Sequence, residues 1–187
     1  MEIKQLQAFT YIFSAMNYIL NLNGNSYRPS IGNVSQQRTN GYSDYKNGII
    51  CIDSNVWDAF TNAIDNKDDA EARVRYGIAA GTIAHEVMHF YQIQNLTPER
   101  MNGFIIEGNM SQDPSKWTEE DFTKYWNLSI EIEAFAFGML VEETLLFGKN
   151  VSIFPKQMNR EKYENVYNNL KEKYLSRIEY AFQNLLK

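Results

Sequence analysis

Apolar positions recur at helical spacing from the start of the chain, through Ile3, Leu6, Phe9, Tyr11, Ile12, Phe13, Met16 and Ile19, which predicts an opening amphipathic helix. The run Asn21 to Asn25, with Gly24 inside it, ends that helix. Between Tyr27 and Asp53 the pattern changes. Pro29, Gly32, Asn40-Gly41 and Asn47-Gly48 punctuate short stretches, and Ile49-Ile50-Cys51-Ile52 is a compact, mostly β-branched run. A small sheet with a hairpin is expected there. Asp53 or Ser54 then caps a helix through Trp57, Phe60 and Ile64, and Asn66 to Asp69 supplies the next turn and cap.

From Asp69 to Gln94 there is no proline, and Ala, Ile, Val and Met dominate the second half, so one long central helix is expected. Asn95 to Lys116, which holds Pro98, Gly103, Gly108 and Pro114, reads as a loop and as the segment most suited to touch a substrate. Trp117 leads into a further helical region with Leu128, Ile130, Ala134, Phe137, Met139, Leu140 and Leu145 as apolar positions, stopped by Gly148. Lys156 to Lys187 closes the chain as a mixed-charge amphipathic helix whose inward positions are Tyr163, Val166, Tyr167, Leu170, Tyr174, Ile178 and Leu185. The pattern as a whole predicts a mainly α-helical α+β fold. It comprises one domain over residues 1–187, with a small antiparallel sheet beside the central helix.

Composition narrows the chemistry. A chain of 187 residues with 44% hydrophobic content can bury a core of its own. Its 18 Lys and Arg against 23 Asp and Glu give a net charge of -5 with no basic stripe, which argues against nucleic acid as a partner. The first twenty residues interleave Glu2, Lys4, Gln5, Gln7 and Asn17 with their apolar groups, unlike a signal peptide or a membrane span. Cys51 is the only cysteine, so no intrachain disulfide can form, and any zinc site must be built from His and carboxylates. These features fit a cytoplasmic protein. The triplets Asn33-Val34-Ser35 and Asn127-Leu128-Ser129 then reflect an Asn-rich composition and are not glycosylation sites.

The central helix carries His85-Glu86-Val87-Met88-His89. Residues four apart lie on one helical face, so both imidazoles can present a nitrogen to a single tetrahedral ion. Glu86 sits about a hundred degrees around the helix. It is thus kept out of the ligand set but within reach of a water that the ion activates, where it can act as general base. His85 and His89 are the only histidines. Two histidines placed at random would fall at this spacing, with Glu beside the first, only about once in a thousand chains. The flanking Thr82, Ile83, Ala84, Phe90 and Tyr91 carry no charge or proline, as a buried helix requires.

The segment Thr82 to Tyr91 resembles the shared signature of the zincin metallopeptidases. The metzincin branch would need Gly at Gln92 and His at Asn95, so the resemblance implies a gluzincin-like set with a carboxylate as third ligand. The segment Ser129 to Gly138 offers Glu131 and Glu133. Glu131 shares its face with Ala134 and Gly138, small enough to let the metal-bearing helix approach, whereas Glu133 shares its face with Phe137 and Leu140. Glu131 is the favoured ligand. The same segment resembles the ligand helix of small intracellular gluzincins, including the repressor-cleaving ImmA/IrrE-type proteins, and that alignment also selects Glu131. Phe135 departs from it, standing where those proteins often place a polar residue that supports a ligand His.

The resemblance further implies an antiparallel edge strand above the cleft to receive an extended peptide, which is assigned to Asn47 to Asp53. A donor to the oxyanion is also required, and Tyr125, Tyr42, Tyr45 and Arg100 are the candidates. Cys51 could in principle be a fourth ligand, although its apolar neighbours suit a buried, inert thiol. The expected activity is hydrolysis of a peptide or protein substrate with Zn2+ as cofactor and with neither nucleic acid nor membrane as partner. The alternative is a non-catalytic binding or regulatory protein on the same scaffold. Oligomeric state is left open.

Overall fold

The computed structural model describes residues 3–22, 27–32, 40–44, 46–66, 69–110, 114–149 and 151–183. In chain order these form α1 (Ile3–Leu20), β1 (Arg28–Gly32), β2 (Gly41–Asp44), β3 (Ile49–Asp53), α2 (Ser54–Asp65), α3 (Ala70–Gln94), α4 (Pro98–Gly108), a 3-10 turn (Pro114–Lys116), α5 (Glu119–Trp126), α6 (Ser129–Leu145) and α7 (Arg160–Phe182). The architecture is α+β and mainly helical. Tyr45, Leu185 and the Asn33-Val34-Ser35 triplet lie outside the described residues, as do the side chains of Ile3, Leu6, Phe9 and Ile64. No helix among the described residues is long and apolar enough to cross a membrane.

The sheet has the order β1-β3-β2, and it is mixed, not wholly antiparallel as expected. β1 runs parallel to β3, with Arg28 opposite Ile49, and β2 runs antiparallel to it, with Gly41 opposite Ile52. The expected hairpin is β2–β3, closed by Gly48 at φ 62 and by the Asp44 carboxylate accepting from the Asn47 backbone N–H at 3.0 Å. The strand containing Ile49 to Ile52 is therefore central, and β2 takes the edge position assigned to it from sequence. Burial explains the exchange. Ile50, Cys51, Ile52 and Asp53 are all buried, and an unpaired strand edge in the interior would strand its N–H and C=O groups.

Asp53 and Asp69 cap α2 and α3 as the sequence indicated, each accepting a backbone N–H two residues on at 2.8 Å. The second half of α3 is buried nearly all round, from Gly77 through Ala79, Ala80, Ile83, Ala84, Val87 and Met88 to Phe90, so it runs through the centre of the molecule. Its most extensive packing is against α6. There Gly81 and Gly138 meet backbone to backbone: a Cβ on Gly138 would sit 2.7 Å from the Gly81 carbonyl oxygen and 3.4 Å from His85 Cβ. Ile12, Met16 and Ile19 of α1, Ile50 and Ile52 of β3, Phe60 of α2, and Leu170, Tyr174, Ile178 and Phe182 of α7 complete the core.

Three boundaries differ from expectation. The expected loop from Asn95 to Lys116 contains α4, since Pro98 starts a helix there. The Thr97 hydroxyl accepts from Arg100 N, and Gly103 packs against Ile130, where a Cβ would be only 3.1 Å from Cγ2. The single helical region after Trp117 is two helices broken at Asn127-Leu128. Asn127 donates to the Thr123 and Gln157 carbonyls at 2.7 Å and accepts from Asn159 N at 2.9 Å, so this amide is a structural clasp. The last helix starts at Arg160, capped by Asn159, four residues later than expected.

Candidate metal centre

α3 presents His85 and His89 one turn apart, and their Nε2 atoms are 3.2 Å apart. Glu131, in the first turn of α6, faces them across the Gly81–Gly138 contact. One of its oxygens lies 3.6 Å from His85 Nε2 and the other 3.4 Å from His89 Nε2. An ion about 2.1 Å from each donor holds tetrahedral neighbours about 3.4 Å apart, so these separations suit a zinc-sized ion. His85, His89 and Glu131 are the one such convergence of His, Cys, Asp or Glu among the described residues.

The residues also fit a cation electrostatically. Glu131 is fully buried, and neither of its oxygens finds a well-formed hydrogen bond among the described residues. Such a group is costly without a partner. Burial pushes its pKa up to about 8, and the nearby Tyr125 hydroxyl offsets part of that rise. Burial, together with His89, holds the His85 imidazole well below its ordinary value, so it stays neutral, as ligation requires. Glu107, on α4, is likewise raised to about 7 by burial and by Glu131. Glu131 and Glu107, brought near two imidazoles, form a site that a cation would stabilise.

Glu86 points from the adjacent face of α3 toward β2. Ser43 Oγ lies 2.8 Å from Glu86 Oε2 and 3.0 Å from the Glu86 carbonyl oxygen, so one hydroxyl hydrogen serves two acceptors. Gly41 leaves room for the carboxylate, since a Cβ there would be 3.2 Å from Glu86 Cγ. Burial raises Glu86 to about 7, while His89 and Ser43 pull it down and Glu131 and Glu107 push it up. Its position matches the expected offset from the ligand face.

The other sequence candidates divide. Glu133 turns away from the cluster and forms a bidentate ion pair with Arg100, at 2.7 Å from Nη2 and 3.1 Å from Nε. Arg100 is thereby committed, and it also stacks 5.4 Å from the Tyr91 ring, so it is not placed to stabilise an oxyanion. Tyr42 alternates with Gly41 and Ser43 along β2 and so faces the opposite side of the sheet, beside Cys51. Cys51, buried in β3, does not join the ligand cluster, so it is not a fourth ligand. Tyr125 alone of the described oxyanion candidates faces the centre, its pKa driven well up by burial and by Glu131. Phe135 packs against Trp126, Phe154 and Tyr163.

Sequence reasoning passed over Ser43, Glu107 and Gln92. Ser43 and Glu107 act across contacts between elements, which local spacing does not mark, whereas Gln92 stands three residues from His89 on the same helix, a spacing that could have singled it out. A cavity of about 610 Å³ opens beside His85 and Glu86, with Trp117, Tyr125, Trp126 and Phe135 on its aromatic side. No family model matches the chain, and neither curated proteins nor solved structures provide a match.

Proposed function

We propose that this chain is a zinc-dependent metallopeptidase, zincin-like in its central helix and gluzincin-like in its ligands. The carrying observation is the convergence of His85, His89 and the fully buried carboxylate of Glu131, with Glu86 poised one step around the helix. Those three side chains would hold the ion. When bound, zinc supplies Lewis acidity, polarising a carbonyl and making water acidic enough to attack at neutral pH.

The chain's own residues supply the rest. Glu86, with a pKa near 7, accepts the proton that the attacking water loses and can return it to the leaving amine. Ser43 orients that carboxylate. Tyr125, kept protonated by burial, is the donor to the developing oxyanion. The outer edge of β2, which pairs with no further strand among the described residues, would receive an extended peptide, and the adjoining aromatic cavity would take an apolar side chain. These features support a peptide or protein substrate.

The test is metal content followed by turnover. Protein purified without added metal, then supplied with excess zinc, should hold one equivalent, which Glu131→Ala loses and which Glu133→Ala, with all three ligands in place, still takes up, though more weakly. Glu86→Gln should keep the zinc and lose cleavage of a peptide library by about a hundredfold or more. A Glu86→Gln variant as active as wild type would overturn the general-base role of Glu86, zinc-loaded wild type that cleaves nothing in the library would overturn the peptidase reading and leave a binding protein, and no zinc uptake would overturn the metal centre itself.

A further inference from the structure

Gln92 is completely buried one turn beyond His89 on α3, and a buried amide is costly unless all its polar atoms are satisfied. They are satisfied here. Its Nε2 donates to the Ile130 carbonyl oxygen at 2.9 Å and to Glu133 Oε2 at 3.0 Å, so two acceptors fix which end of the amide is nitrogen. Its Oε1 must then face His89 Nδ1, 2.9 Å away, and that contact is a hydrogen bond only if Nδ1 carries the proton. In a neutral imidazole with its proton on Nδ1, Nε2, the atom that faces His85 and Glu131, is the one left free to bind a metal. On the far side Glu133 is gripped by Arg100 of α4.

We infer that Gln92 is a positioning residue for the metal centre: it fixes the tautomer and ring orientation of His89, and the chain His89–Gln92–Glu133–Arg100 anchors that setting to α4. The inference rests on the metal-centre reading of His85, His89 and Glu131. It also gives Glu133, the rejected ligand, a role of its own. A purely packing role at position 92 would be met by an apolar side chain, and would leave the imidazole indifferent to which nitrogen holds the proton. Partners of this kind orient ligand histidines and raise their basicity, and losing one typically weakens metal binding about 10- to 100-fold.

The experiment uses the full chain and two readouts. Long-range 15N–1H spectra of the zinc-free protein report the His89 tautomer, and zinc chloride titrated against a chelator of known affinity reports binding. Wild type should show Nδ1–H alone. Gln92→Met should populate both tautomers and bind zinc about 10- to 100-fold more weakly. Arg100→Met changes only the outer end of the chain and guards against a Gln92 variant that does not fold. It should weaken zinc in the same direction but less. A wild-type tautomer and affinity in Gln92→Met would overturn the proposal, and if that variant does not fold, unchanged affinity in Arg100→Met would do so. Failure of wild type to take up zinc would sink the metal centre instead, and the tautomer of the zinc-free protein would still decide the role of Gln92.

Discussion

Ser43 is bonded to a carboxylate whose charge burial opposes. A hydroxyl donor favours the ionised form, so removing it raises the pKa further. Ser43→Ala is therefore expected to move the acid limb of kcat/KM to higher pH, by a fraction of a unit to about one unit, with zinc content unchanged. A profile superimposed on that of wild type would mean that Glu86 is not the titrating base. At this scale the spacing along the chain marked the candidate ligands that the fold brings together and was nearly silent about their supports. The His85–His89 spacing is local and periodic, and so is the small face of Ala134 and Gly138 that singled out Glu131. Ser43 and Glu107 owe their places to contacts between elements, which no window along the chain contains, whereas Gln92 stands three residues from His89 on the same helix and could have been read from that spacing.

At the scale of elements, the centre depends on how closely α3 and α6 approach. A Cβ on Gly81 would fall 2.9 Å from the Gly138 carbonyl oxygen, and backbone cannot swing aside as a side chain can. Gly81→Ala or Gly138→Ala is expected to cost about 1–3 kcal/mol in denaturant unfolding and to weaken zinc binding by separating Glu131 from the imidazoles. Gly108→Ala, at the end of α4 with nothing within 4 Å of an added Cβ, should be neutral or stabilise by up to about 1 kcal/mol. Equal effects at both places would show that the helix approach is not tight. Periodicity revealed α1, α2, α3 and α7, because each buries a continuous stripe or core segment. It missed α4, where Pro98 was read as a breaker although proline suits a first helical turn, and it missed strand order, which depends on neighbours in space.

Over the whole molecule, the buried carboxylates couple stability to pH. Glu86, Glu107 and Glu131 rise in the fold from an ordinary 4.5 to about 7, 7 and 8. Between those limits the folded state holds more protons than the unfolded state, so their contribution is most favourable below 4.5 and is lost as pH climbs toward 8. Metal-free Glu131→Gln should therefore match metal-free wild type near pH 4.5 and exceed it at pH 8, on the order of 4 kcal/mol, in urea unfolding. Zinc should reverse the trend for wild type, since ligation needs an ionised Glu131, and its binding at pH 6 should release protons measurable by calorimetry in different buffers. Equal stabilities at pH 8 would mean that Glu131 is not held protonated. The ligands also come from separate stretches, two on α3 and the third on α6. During synthesis both histidines leave the ribosome well before Glu131 does, so on the proposed reading a growing chain would have no complete centre, and any cleaving power would arrive only once α6 had docked.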